Sequence, residues 1–345
     1  MGPIVLCFAI GIIICNLNLL PINSKVSGFF RDGTVLMALP MLLYSSDVKA
    51  WVSESRLTLY AFGLCLISGL IGAGIGGYVF QSYISESWIP AGMMVGISSG
   101  GTPNLFAVGI ALEAKDEVFT LTNSSQIFWG AIYLIFLLSL SARVFGWFLK
   151  IPKPTAFKKE EASSYLQYNK VSLKDSIIAI LITIGIVAFS VGVSFAVFGK
   201  LEPTIIIVFI TSLGIISSLS PAIRKLRGPF EIGDYLLLMF GISVGMVSDF
   251  HTLLSDGGPY ILFVFLIMFL TVSIHMLLCK LFKIDRDTFI ITSTAGIYGP
   301  VFISQIAYSL KNKSLIVGGM AVSLLGLALG NYLGIGLAYF LKWIL

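Results

Sequence analysis

The stretch Gly96-Ile97-Ser98-Ser99-Gly100-Gly101-Thr102-Pro103-Asn104 lies in the middle of an otherwise apolar run from Trp88 to Leu112, and its reading decides the fold. A continuous helix would not carry two serines, two glycines, a threonine and a proline at its midpoint. Proline removes a backbone donor and glycine favours non-helical dihedrals, so the backbone is expected to unwind here and leave N–H and C=O groups unpaired. In lipid each such group is costly. The break is tolerable only where it is buried in protein or lines a watery cavity, which is how transporters hold solutes and ions at membrane depth. A second break, Ser293-Thr294-Ala295-Gly296-Ile297-Tyr298-Gly299-Pro300, interrupts the run from Phe289 to Leu310.

With 57% hydrophobic and 11% charged residues, the 345-residue chain cannot hide its apolar surface from water as one soluble domain. It reads as an all-α polytopic membrane protein whose first partner is the lipid bilayer. The net charge of +5 lies mostly in loops, so it bears on membrane orientation and not on nucleic acid. Cys7, Cys15, Cys65 and Cys279 fall inside apolar runs as small buried hydrophobes, with no disulfide framework or metal spacing. No positive residue precedes the apolar run Ile4 to Ile14, so Met1 to Leu20 is taken as a retained span and not a cleaved signal.

Further apolar segments run over Val35 to Tyr44, Leu57 to Phe80, Val118 to Leu149, Ser176 to Phe198, Pro203 to Leu219, Tyr235 to Val247, Tyr260 to Leu281 and Leu315 to Leu345. Residues 150–174, with the block Lys158-Lys159-Glu160-Glu161, read as a cytoplasmic linker between two halves. Residues 1–149 form an N-terminal repeat with broken segment 88–112, and residues 175–345 a linking span plus a C-terminal repeat with broken segment 289–310. Three pairs support the repeat at offsets of about 200 residues: Asp47 with Asp249, Pro21 with Pro221, and Pro103 with Pro300. Lys and Arg counts barely separate full crossings from re-entrant hairpins. Parity adds that hairpins make the two units inverted, with breaks facing each other from opposite membrane sides. The preferred reading is two hairpins and nine spans, within about nine to eleven membrane segments.

At Gly100-Gly101-Thr102-Pro103-Asn104-Leu105-Phe106-Ala107-Val108, at Ile297-Tyr298-Gly299-Pro300 and at Gly330-Asn331-Tyr332-Leu333-Gly334, the chain resembles the bacterial membrane proteins grouped as domain-of-unknown-function family 819. More distantly, the glycine-rich breaks resemble those of the sodium:glutamate symporters. The resemblance implies an inverted-repeat secondary transporter in a bacterial inner membrane and supplies no substrate. Members usually show Asn-Ile-Gly-Gly-Pro at the second break, where this chain has Gly296 and Tyr298 in place of the Asn and the first Gly. Members also tend to begin with one more helix, the counterpart of Ser176 to Phe198.

The first break offers the hydroxyls of Ser98, Ser99 and Thr102, the Asn104 amide, and backbone freed by Gly100, Gly101 and Pro103. Neutral oxygens of that kind suit Na⁺, and a helix starting near Asn104 suits a carboxylate. The second break offers Ser293, Thr294, Tyr298 and the backbone at Gly299 and Pro300, with Gln305 a turn later. The bland alternative for both is a glycine kink for close packing. Asn331 either bonds a neighbouring helix or completes an ion site. Asn123 and Gln126 either face the first hairpin or lie at the membrane surface. Asp47 and Asp249 read first as caps of interfacial helices and second as membrane-interior carboxylates. Gly69-Gly72-Gly76 and Gly326-Gly330-Gly334 are helix-packing stripes, and His275 is read as a satisfied core histidine.

These features point to a secondary active transporter of a small carboxylate-bearing solute, an amino acid, small peptide or organic anion, coupled to Na⁺ or else to H⁺. The scarcity of acidic residues deep in the spans favours Na⁺. No cofactor is expected, nor a metal beyond that Na⁺, and without a Gly-x-x-x-x-Gly-Lys-Ser/Thr loop ATP is not the driver. A homodimer stays open. Two rivals remain, a passive channel and an intramembrane serine hydrolase using Ser98 with His275. The latter has little else in its favour, and the chain is expected not to be an enzyme.

Overall fold

The computed structural model describes residues 3–17, 24–44, 56–152, 171–246, 250–312 and 314–345. Asp47, Asp249, Pro21 and most of the 150–174 linker lie outside them. Every regular element among the described residues is helical. The helices are α1 (Pro3–Asn16), α2 (Ser24–Tyr44), α3 (Arg56–Val79), α4 (Trp88–Gly100), α5 (Thr102–Ala111), α6 (Asp116–Ser139) and α7 (Ser141–Phe145), followed by α8 (Leu173–Phe198), α9 (Pro203–Ser218), α10 (Pro221–Arg224) and α11 (Pro229–Met246). After these come α12 (Phe250–Leu281), α13 (Arg286–Tyr298), a 3₁₀ turn (Gly299–Phe302), α14 (Ile303–Ser309) and α15 (Leu315–Ile344). By length and composition 5 of them can cross a membrane: α3, α6, α8, residues Gly257–Leu281 of α12, and α15. Shorter apolar helices accompany them. Together these make a polytopic membrane protein.

Some boundaries differ from the apolar runs. The run Val118 to Leu149 is one segment in sequence, but α6 ends at Ser139 and the short α7 follows. The residues beyond include exposed Leu140, Trp147 and Phe148 beside Arg143, an interfacial composition that imitates a span. The run from Phe250 that looked like a separate interfacial helix is the first part of α12, a helix of 32 residues that contains Pro259.

Both interrupted segments turn back on themselves. The helix α4 has 13 residues and α5 has 10, about 20 and 15 Å, too short to cross about 30 Å of hydrocarbon. Their antiparallel packing is recorded by the glycines between them. A methyl at Gly96 would lie 2.7 Å from the Asn104 carbonyl, one at Gly92 3.1 Å from Leu112, and one at Gly109 3.2 Å from Met93. The second hairpin closes at its base, where Asn312 Nδ2 donates to Asp287 Oδ2 at 3.1 Å. Arg286 completes that base: it pairs with Asp287 at 2.7 Å, donates to the Ala142 carbonyl at 2.9 Å, and its own N–H donates to the Lys150 carbonyl. Asp285 caps α13 through the Thr288 N–H and hydroxyl.

The helix α15 shows how the hairpins are disposed. Its 30 residues, about 45 Å, start beside the base of the second hairpin, where Gly319 abuts Ile291 and Ile303. It then passes the first hairpin's tip at Gly326 and Gly330, and ends with Lys342 Nζ 4.6 Å over the Trp88 ring at the first hairpin's base. The two bases therefore lie at opposite ends of one long helix, and the hairpins point at each other. The helix α6 runs the opposite course: Phe119 packs at Gly109 near the first base, and the Leu138 carbonyl accepts from Ser309 near the second.

Glycines make this packing possible. A Cβ at Gly330 would overlap Asn104 and Ser99, and one at Gly334 would lie 2.7 Å from the Gly92 carbonyl. Gly72 and Gly76 likewise admit Thr271 and Ile267 of α12. Replacing Gly330 by Val is expected to lower unfolding stability by about 1–3 kcal/mol through overpacking. Gly336→Val, where the surrounding space is open, is expected to cost far less. Thermal unfolding midpoints of the purified variants compare the two, and equal midpoints would contradict the packing described.

Candidate functional site

The site begins with two backbone angles. Gly101 has φ +89° and ψ −167°, and Gly299 has φ +65° and ψ −151°. Both lie in a region essentially restricted to glycine. Each ends the first arm of its hairpin while its N–H still bonds back, Gly101 to the Ile97 carbonyl and Gly299 to the Ala295 carbonyl. The second arm of the first hairpin then starts at once, with Pro103 in the first turn and the Asn104 N–H on the Gly101 carbonyl at 3.2 Å.

The two tips touch backbone to backbone. A Cβ on Gly101 would lie 3.2 Å from the Gly299 nitrogen, and one on Gly299 would lie 3.0 Å from the Gly100 carbonyl. One turn back, a Cβ on Gly296 would lie 2.6 Å from the Ser98 carbonyl. Glycine at 296 is thus what lets the arms approach. Residue 298 supplies a tether, since the Tyr298 hydroxyl donates to the Gly130 carbonyl of α6 at 2.6 Å.

Around this contact lie uncharged polar groups. Ser99 donates to the Val95 and Gly96 carbonyls and Thr294 to the Ile290 carbonyl, so both hydroxyl protons are spent on their own helix. Ser98 is buried against Gly69 of α3. The Ser293 hydroxyl pairs with Tyr133 at 2.8 Å, and Tyr133 stacks on Tyr298 with centroids 6.4 Å apart. Gly100 and Gly101 are buried, while Thr102, Pro103 and Pro300 are half-buried.

Asn104 and Asn331 are both 0% exposed, and their amide orientations follow from their partners. Asn104 Nδ2 donates to the Gly326 carbonyl at 3.1 Å, where a flipped amide would set oxygen against oxygen. Asn331 Nδ2 donates at 2.9 Å to Thr211 of α9, whose own hydroxyl proton goes to the Ile207 carbonyl. In each case Oδ1 is buried without a donor. Such orphaned acceptors call for an N–H donor, a water or a cation.

Other sequence candidates separate. Asn123 and Gln126 are buried in α6, not at the surface, and Gln126 lies beside Gly130, whose carbonyl bonds Tyr298. Gln305 is exposed on α14 and takes no part in the tip contact. His275 donates from Nε2 to the Ala61 carbonyl at 3.1 Å and packs against Phe289. Residues that sequence reading passed over are Gly130, Tyr133 and Thr211. The spacing Gln126, Gly130, Tyr133 marks one face of α6 and was the available signal for the first two.

The fold and site define an all-helical polytopic membrane protein built around two opposed helical hairpins. The chain belongs to the protein family of unknown function DUF819, whose pattern spans residues 1–344. It is also similar to the uncharacterized membrane protein YjcL of Bacillus subtilis (strain 168), at 24% identity over 347 residues, 96% of this chain and 87% of that protein.

Removing the Tyr298 hydroxyl leaves the Gly130 carbonyl without its donor. Tyr298→Phe is expected to lower stability by about 0.5–1.5 kcal/mol, read as a lower unfolding midpoint in detergent. A midpoint equal to the parent would show that the tether contributes nothing.

Proposed function

We propose that the protein is a secondary active transporter that works by alternating access in a bacterial inner (cytoplasmic) membrane. The observation that carries this reading is the meeting of two opposed hairpins at Gly101 and Gly299. Each hairpin closes the way from one side, and their contact interrupts any continuous polar path, which favours a carrier over a channel. The order long helix, hairpin, long helix occurs twice, as α3 to α6 and as α12 to α15, in support of inverted repeats. A hydrolase finds less support: His275 packs on Phe289 of α13 with Nε2 donating to the Ala61 carbonyl of α3, whereas Ser98 of α4 sits against Gly69 of α3.

The coupling ion in this reading is Na⁺. Its ligands come from the orphaned Oδ1 atoms of Asn104 and Asn331 and from the carbonyls freed at the tips. Among the described residues the buried carboxylate is Asp287, and it is engaged by Arg286 and Asn312 at the base of the second hairpin. A proton path would want a titratable group nearer the tips. The solute carries a carboxylate placed at the N-terminus of α5, where the helix dipole favours an anion and the first-turn N–H groups are those other than Pro103, which has none, and Asn104, which donates to Gly101.

Proteoliposomes with an inward Na⁺ gradient, offered a mixture of labelled amino acids and small organic acids, test the proposal. Uptake above the choline control and counterflow of the labelled solute are expected. Asn104→Ala and Asn331→Ala should each cut the Na⁺-dependent rate by about tenfold or more, the scale of one lost ligand to a charge. Uptake driven by a pH gradient without Na⁺ would overturn the coupling ion, and downhill flux without counterflow would favour the channel.

A further inference from the structure

Within that carrier reading, we propose that the solute is a zwitterion with N–H donors, an amino acid or a short peptide, and not a di- or tricarboxylate. Its carboxylate lies at the N-terminus of α5 and its N–H groups lie along the inner face of α6.

Charge is the first argument. Among the described residues no lysine or arginine is buried, and the buried carboxylate Asp287 is held at a hairpin base. The N-terminus of α5 offers the equivalent of about half a positive charge. With a coupling Na⁺ this suffices for one carboxylate, and a second would be buried without a cationic partner. A zwitterion supplies its own compensating charge.

The second argument is the chemistry of α6. Phe119, Asn123, Gln126, Gly130 and Tyr133 follow one another at helical spacings of three and four and so share one face. That face is anchored at both ends, by Phe119 against Gly109 of the first hairpin and by Gly130 against Tyr298 at the second tip. Between the anchors, Asn123 is 2% exposed and its Oδ1 has no donor. Thr122 beside it is 0% exposed with an unpartnered hydroxyl. The Tyr298 backbone adjoins Gly101, the residue preceding α5, so the face and the helix N-terminus border the same tip. In this orientation the carboxamide presents an acceptor, which an ammonium or amide N–H satisfies.

Thermal-shift measurements on the full-length protein in Na⁺ test this with matched probes. L-alanine, L-leucine and L-alanyl-L-alanine are set against propionate, 4-methylpentanoate and N-acetyl-L-alanyl-L-alanine, with glutarate, succinate and citrate as polyanions. At least one zwitterion is expected to raise the melting temperature while its counterpart lacking the ammonium does not. Asn123→Leu is expected to raise the Kd of that zwitterion about tenfold or more, and Asn123→Asp, which keeps the acceptor, to retain binding. A shift from succinate, citrate or an ammonium-free counterpart equal to that from the zwitterions would overturn the inference and leave the carrier standing. So would unchanged zwitterion affinity in Asn123→Leu. No shift from any probe in Na⁺ or in choline would count against the carrier itself and remove this inference with it.

Discussion

The architecture depends on two interrupted helices whose tips meet backbone to backbone. At the contact a Cβ on Gly101 or Gly299 would press on the facing backbone, and both residues have dihedrals that side-chain-bearing residues rarely adopt. Backbone at membrane depth must find its hydrogen-bond partners inside the protein. The surrounding helices therefore have one task in common, to bury two helix ends without filling the space between them.

The helices α6 and α15 perform it in different ways. The first hairpin lies along the glycine stripe of α15, where Gly326, Gly330 and Gly334 admit its backbone and the Asn104 amide closes the contact on the Gly326 carbonyl. The second hairpin is held to α6 by hydroxyls, with Tyr298 on the Gly130 carbonyl and Tyr133 on Ser293. Its base is fixed by the ion pair of Arg286 and Asp287 and by Asn312. Close backbone packing is continuous and hard to separate, whereas a few polar contacts are discrete and exchangeable.

Much of this was legible in sequence because glycine and proline act locally. Both breaks, the start of α5 near Asn104 and the two glycine stripes were readable from residue type alone. The choice between hairpin and crossing was not, because the return of each chain is set by distant contacts such as Gly92 with Leu112 and Asp287 with Asn312. Charge counting left those topologies nearly balanced. Asn331 could be flagged as a lone amide in an apolar span, yet its partner Thr211 lies in α9, beyond any local pattern. Tyr133 looked like one aromatic among many until its hydroxyl met Ser293. The end of α6 at Ser139 was hidden because the residues after it are as apolar as a span while lying on an exposed surface.

The opposed entry of the hairpins is the claim on which the rest stands, and sided cysteine labelling tests it most directly. In a background free of Cys7, Cys15, Cys65 and Cys279, single cysteines replace Glu113 at the base of the first hairpin and Lys311 at the base of the second. Intact cells are then treated with a membrane-impermeant maleimide. Labelling of one position in intact cells, and of the other only after permeabilisation, is the expected result. Labelling of both positions from the same side would contradict the account.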